Sequence, residues 1–142
     1  MAWVTPLYSK ERIKRAGITL FDDNASDDEY EEALQVLNNW RSSLSYPVNT
    51  FQAGLRTKLN AMGINGIVAQ RLKRIPSILA KLERFKNMSL SRMQDIGGLR
   101  AVVSTAKQVY ELRDSYVEKS KFEHVLVSES DYIKAPKESG YR

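Results

Sequence analysis

The chain has 142 residues, with 22 Lys and Arg against 17 Asp and Glu for a net charge of +5, one His and no Cys. That composition excludes a disulfide framework, a thiolate site and a zinc cluster, and no apolar run is long enough to span a bilayer. A soluble cytoplasmic protein of one domain is expected, burying roughly 68–70% of its unfolded surface, with an excess of positive field suited to nucleotides or nucleic acid.

At the start of the chain, Trp3, Pro6 and Lys10 break up any secretory apolar stretch. Ser9 predicts an N-cap for a short helix through Ala16, with Gly17 as its stop. Residues 22–26 read as a loop. Ser26 and Glu29 have capping-box spacing, and Tyr30, Ala33, Leu34, Leu37, Trp40 and Leu44 then recur on one helical face. Tyr46 and Pro47 are expected to end that helix, and Asn49 or Thr50 to cap the next. Its stripe is Phe51, Leu55, Leu59 and Met62. Both stripes read as core contacts between antiparallel helices and carry no chemistry.

Gly63 and Gly66 bracket a turn before a first strand over residues 67–73. The segment 71–81 follows, with four cations, Arg71, Lys73, Arg74 and Lys81, around a strand-to-helix junction. Pro76 suits the first helical position, having no N–H to lose there, and Ser77 adds a hydroxyl in the first turn. The unpaired N–H groups and macrodipole at that end attract anions. Arg71 and Lys73 share a side if extended, and Lys81 lies one turn beyond Ser77. Together these groups suit phosphate, although a basic amphipathic helix with solvated cations accounts for this segment taken alone.

Residues 87–94 are polar and read as a mobile loop, and residues 97–104 as a second strand. Thr105 predicts the cap of a helix carrying Val109, Leu112 and Tyr116, after which residues 122–127 return as a strand on which His124 is structural. Asp95, before Ile96 and two glycines, is a candidate Mg²⁺ carboxylate, since Mg²⁺ is usually held by one or two carboxylates together with substrate phosphates. Arg100 is either a cleft cation or a partner for Asp95. Near the C-terminus, Tyr141 beside Gly140 could stack on a purine with Lys137 near its phosphates; such stacking is worth about 1–3 kcal/mol.

Three segments in this order resemble the synthetase domain of the RelA/SpoT family. They are Arg71-x-Lys73-x-x-x-Ser77-Ile78-x-x-Lys81, then Asp95-Ile96-x-Gly98-x-Arg100, then Asp131-Tyr132-Ile133-x-x-Pro136-Lys137-x-Ser139-Gly140-Tyr141. The resemblance runs from Gln70 to Arg142, and the N-terminal helices match only loosely. It implies an α+β fold, a nucleotidyltransferase-like mixed β-sheet flanked by helices. The expected division is a helical N-terminal arm, residues 1–66, and a partial synthetase domain, residues 67–142, in one structural unit. It further implies Mg²⁺-dependent transfer of pyrophosphate from ATP to the 3′-hydroxyl of GDP or GTP, giving (p)ppGpp and AMP. Arg71 is then expected at the adenine or phosphates, Lys73 and Lys81 at the phosphates with Ser77 in support, and Arg100 in the ATP cleft. Asp95 matches the metal carboxylate, and Tyr141 the tyrosine that stacks on guanine in the loop containing Lys137.

The family pattern continues into a strand bearing a second acidic ligand, whereas this sequence stops at Arg142. The chain is therefore expected to be a fragment or a truncated, inactive domain lacking C-terminal strands, with Glu129 or Glu138 the guesses for a general base. Two other functions stay open: a toxin that pyrophosphorylates the 3′ end of tRNA, and a nucleotide-binding module without catalysis. A homo-oligomer is also left open; a membrane partner is not expected.

Overall fold

Hydroxyl caps open the first two helices. In the computed structural model, which describes residues 2–118 and 123–139, Ser9 Oγ accepts from the Arg12 N–H at 3.1 Å at the start of α1 (Lys10–Thr19). Ser26 and Glu29 close the capping box at the start of α2 (Asp27–Ser43): Ser26 Oγ accepts from the Glu29 N–H, and the Ser26 N–H donates to Glu29 Oε2. α1 does not stop at Gly17. That residue lies inside the helix because Leu90 packs against it, and a Cβ added there would sit 2.9 Å from Leu90 Cβ. The glycine serves close approach rather than termination.

α2 ends before Tyr46. Only Leu44 separates it from α3 (Ser45–Ala61), so Pro47 stands in the first turn of α3, and neither Asn49 nor Thr50 is its cap. Proline fits there because first-turn N–H groups have no intrahelical acceptor. The antiparallel partner of α2 is α1 rather than the following helix. Arg12 of α1 pairs with Glu32 of α2 at 3.3 Å, and Asn39 of α2 holds the segment before α1, accepting from the Leu7 N–H and donating to Thr5 O.

Gly63, at φ 66°, turns the chain toward β1 (Ile67–Leu72), which pairs antiparallel with β2 (Gly97–Val102) in a two-stranded sheet. The Lys73 N–H donates to Ile96 O at 2.6 Å, which sets the register: Leu72 opposite Gly97, Arg71 opposite Gly98. A side chain at Gly97 has no room, since its Cβ would lie 2.7 Å from Val48 Cγ2. α4 (Ile75–Arg84) follows β1, and a 3-10 turn (Leu90–Arg92) precedes β2. The expected mobile loop over 87–94 is therefore corrected. Leu90 and Met93 are both buried, and residues three apart share a face in 3-10 geometry, which pins the segment despite its polar composition.

The chain divides into two compact units, Met1–Arg56 with Val68–Ala101, and Thr57–Ile67 with Val102–Arg142. The helices of the arm and the strand–helix segment share one core in the first unit: Ile13 and Ala16 of α1 and Val36 and Leu37 of α2 with Ile78 of α4, Leu90 and Ile96.

In the second unit Thr105 Oγ1 accepts from the Gln108 N–H and caps α5 (Ala106–Val117). The Tyr110 hydroxyl donates to Asp131, and Arg113 Nε donates to Glu129 at 2.8 Å, so polar contacts fasten residues 129–131 to α5. Of the strand expected over 122–127, Phe122 lies outside the described residues, and 123–127 form no strand. Val125 and Val127 are 86% and 81% exposed; without a ladder partner, β-branched residues alone do not make a strand. The fold is α+β, helices with a small antiparallel sheet.

Candidate functional site

The strand-to-helix corner after β1 holds the candidate site. α4 begins at Ile75, so Pro76 is its second residue rather than its first, and Arg74 is the N-cap in extended conformation. Arginine has no acceptor atom. No side chain caps this helix end and no acid stands in its first turn, so the positive end of the helix dipole is not offset there. Ser77 is exposed in that turn, one turn before Lys81.

Packing brings three charged groups together. Ile78 and Leu82 face the core, which turns Lys81 to the flank of α4. The hydrogen bond from the Lys73 N–H to Ile96 O brings the end of β1 beside Asp95. The Asp95 carboxylate then bridges both lysines, with Lys73 Nζ 3.1 Å from Oδ2 and Lys81 Nζ 2.8 Å from Oδ1. Its side chain is 42% exposed. Partial burial alone pushes the Asp95 carboxyl up, but hydrogen bonds and charge from Lys81 and Lys73 outweigh it and hold the pKa below the usual carboxylate value. Asp95 is thus paired with the two lysines, not with Arg100.

Arg71 and Arg100 are exposed on the strands. By the register, Arg71 stands opposite Gly98 and Arg100 opposite Ala69, so alternation puts both arginines on one face of the sheet. Each faces a residue with little or no side chain, and a Cβ on Gly98 would meet Arg71 Cγ at 4.0 Å. The residues expected at the acceptor fall in the second unit. Lys137 Nζ lies over the Tyr132 ring at 4.8 Å, and Tyr141 lies outside the described residues. Glu129, one guess for a base, is held by Arg113, whose hydrogen bond lowers its pKa and weakens it as a proton acceptor.

Arg41 was not legible as part of the site. From the last turn of α2 its Nε donates to Lys73 O at 2.7 Å, fixing the corner from which the Lys73 side chain departs. In sequence it is one cation beside Trp40 in an apolar stripe, and nothing local marks it.

Residues 70–142 match the family described as a region found in RelA / SpoT proteins. The chain belongs to the RelA/SpoT family. Over 114 residues it is 25% identical to the GTP pyrophosphokinases of Escherichia coli (strain K12), Escherichia coli O157:H7 and Shigella flexneri. The alignment covers 80% of this chain but only 15% of each relative. Arg71, Lys73, Lys81, Asp95 and Arg100 all fall inside the RelA/SpoT region, whereas Arg41 precedes it.

A magnesium ion fits the donor set in one form only. Among the described residues no group of three His, Cys, Asp or Glu could hold a metal. Asp95 is partly exposed and ionised, and one carboxylate suffices when substrate phosphates supply other ligands. The chemistry suits a cation that arrives with a triphosphate. Among the described residues no helix is long and apolar enough to cross a membrane.

Proposed function

We propose that the protein acts in ATP-dependent transfer of pyrophosphate to the 3′-hydroxyl of GDP or GTP, making (p)ppGpp. The observation that carries this reading is the convergence of Lys73 and Lys81 on Asp95 beside an uncapped helix N-terminus. Two ammonium groups already held within 3.1 Å of one carboxylate are arranged to receive a more highly charged anion. Family membership and the likeness to GTP pyrophosphokinases support the choice of donor and acceptor.

In this reading Lys73 and Lys81 exchange the Asp95 carboxylate for donor phosphates, and the start of α4 with Ser77 adds N–H and hydroxyl donors. Arg71 and Arg100 flank a shallow floor over Ala69 and Gly98, where a planar base can lie against guanidinium groups. Lys137 and Tyr141 are assigned to the acceptor. The acceptor O3′ bonds to the β-phosphorus as the bond from that phosphorus to its α-bridging oxygen breaks. AMP leaves with the bridging oxygen, and the hydroxyl proton is released. Such transfer depends on positioning and charge neutralisation. Magnesium, held by Asp95 when bound, would supply further neutralisation of the phosphates.

The net charge of +5 favours a second acceptor, the 3′ end of tRNA, because a positive surface draws a polyanion. Incubating the full chain with labelled ATP and either GDP, GTP or tRNA tests both readings. Labelled (p)ppGpp supports the first; label on tRNA, falling steeply with salt, supports the second. AMP release unchanged in Lys73→Gln and Lys81→Gln would overturn the assignment of the donor site.

A further inference from the structure

Away from the lysine–aspartate cluster, the first unit carries a concavity of about 380 Å³ between α1, the end of α4 and the 3-10 turn. We propose that it binds a small phosphorylated aromatic molecule, with the ring on Ile18, Phe21 and Met88 and the phosphate toward Lys14, Lys86 and Arg92.

The size falls within the range of small-molecule sites, roughly 300–1,000 Å³. Charge then selects the ligand. Three cations line the concavity and no carboxylate does, and none of the three makes an ion pair among the described residues. Three positive charges exceed what one carboxylate would neutralise and suit a phosphate dianion. Arg92 is held in place: Nε donates to Ser89 Oγ at 3.1 Å and Nη2 to Asn87 O at 3.4 Å. That leaves Nη1 and the second Nη2 hydrogen, whose shared edge can make a bidentate phosphate contact.

Apolar surface supplies the other half. Ile18 and Phe21 are 62% and 42% exposed, one turn apart on and just after α1, and Met88 adds a polarisable thioether suited to a ring edge. Beneath them Leu82 and Leu90 are buried in the core, so the floor is set by packing. Neither Lys73 nor Lys81 lines this space; it is separate from the donor site.

The test uses the full chain and 1-naphthyl phosphate, followed by calorimetry and by methyl NMR signals of Ile18 and Met88. Saturable binding that moves both signals is expected. Inorganic phosphate alone and 1-naphthol alone should each bind at least about tenfold more weakly, because each makes only half the contacts. The doubly substituted Lys86→Gln, Arg92→Gln protein and the single variant Phe21→Ser, all at exposed positions with folding checked by circular dichroism, should each lose at least about tenfold. Lys73→Gln should bind as wild type. The proposal is overturned if the two methyl signals do not move, or if inorganic phosphate binds as well as the aromatic phosphate. Loss on Lys73→Gln with retention in the double variant also overturns it, since the probe would then occupy the donor site.

Discussion

Replacing Asp95 by Asn separates two effects of one carboxylate. Without nucleotide, the carboxylate occupies Lys73 and Lys81 at 3.1 and 2.8 Å, so a triphosphate must displace it. The carboxylate is 42% exposed, and solvent screens each pair to about 0.5–1 kcal/mol. Displacing both therefore costs about 1–2 kcal/mol. Asn keeps the shape and removes the charge. Metal-free ATP, titrated by calorimetry in EDTA, is expected to bind Asp95→Asn about 5–30-fold more tightly than wild type. The affinity gained on adding Mg²⁺ should shrink in the same variant, because the only carboxylate proposed for the ion is gone. If Asp95→Asn bound metal-free ATP no more tightly than wild type, the lysines would not be the phosphate-binding groups and the reasoning would fail.

Gly97→Ala should destabilise the chain by about 1–3 kcal/mol, read as a lower urea midpoint, because the new Cβ would meet Val48 Cγ2 at 2.7 Å. Ser26→Ala removes half of the capping box and should cost about 0.5–2 kcal/mol in the same assay. Arg41→Met keeps length and apolar stem but loses the bond to Lys73 O; ATP affinity should fall about tenfold, as one charged hydrogen bond of about 1.5 kcal/mol allows. For pH, the sign follows from the lowered pKa of Asp95. A depressed carboxyl contributes stability that is present above its unfolded pKa of about 3.9 and lost as pH falls through the lower folded value. The stabilities of wild type and Asp95→Asn should differ above about pH 4 and converge below it.

Local signals were legible where they act within a few residues. The Ser9, Ser26 and Thr105 caps and the strands expected over 67–73 and 97–104 depend on near neighbours in sequence, and each forms close to where it is expected. Features set by distant partners were not. Gly17 looked like a helix stop because the approach of Leu90 cannot be seen from sequence. Pro47 looked like a terminator because proline punctuates both ends of helices, and only tertiary packing chose between them. Residues 87–94 looked mobile because Leu90 and Met93 are diluted by polar neighbours. Arg41 was hidden for the same reason: its partner is a backbone carbonyl 32 positions away. Residues 123–127 show the converse: a strand is expected there from the apolar residues, and among the described residues no ladder pairs with them.

The position of the charged groups follows from the core more than from their own chemistry. Lys81 precedes Leu82, Asp95 precedes Ile96, and Lys73 is bonded through its backbone to Ile96 and to Arg41. Leu82 and Ile96 belong to one apolar cluster with α1 and α2, so moving any one charge far would require breaking that packing. In the proposed reading, the ammonium groups exchange the Asp95 carboxylate for phosphate by side-chain rotation, because the backbone around them is held by that packing. A site built this way is preorganised for charge and needs little reorganisation when the anion changes. It also explains why helices that carry no chemistry matter to the site: they supply the apolar surface that holds its charged residues in register.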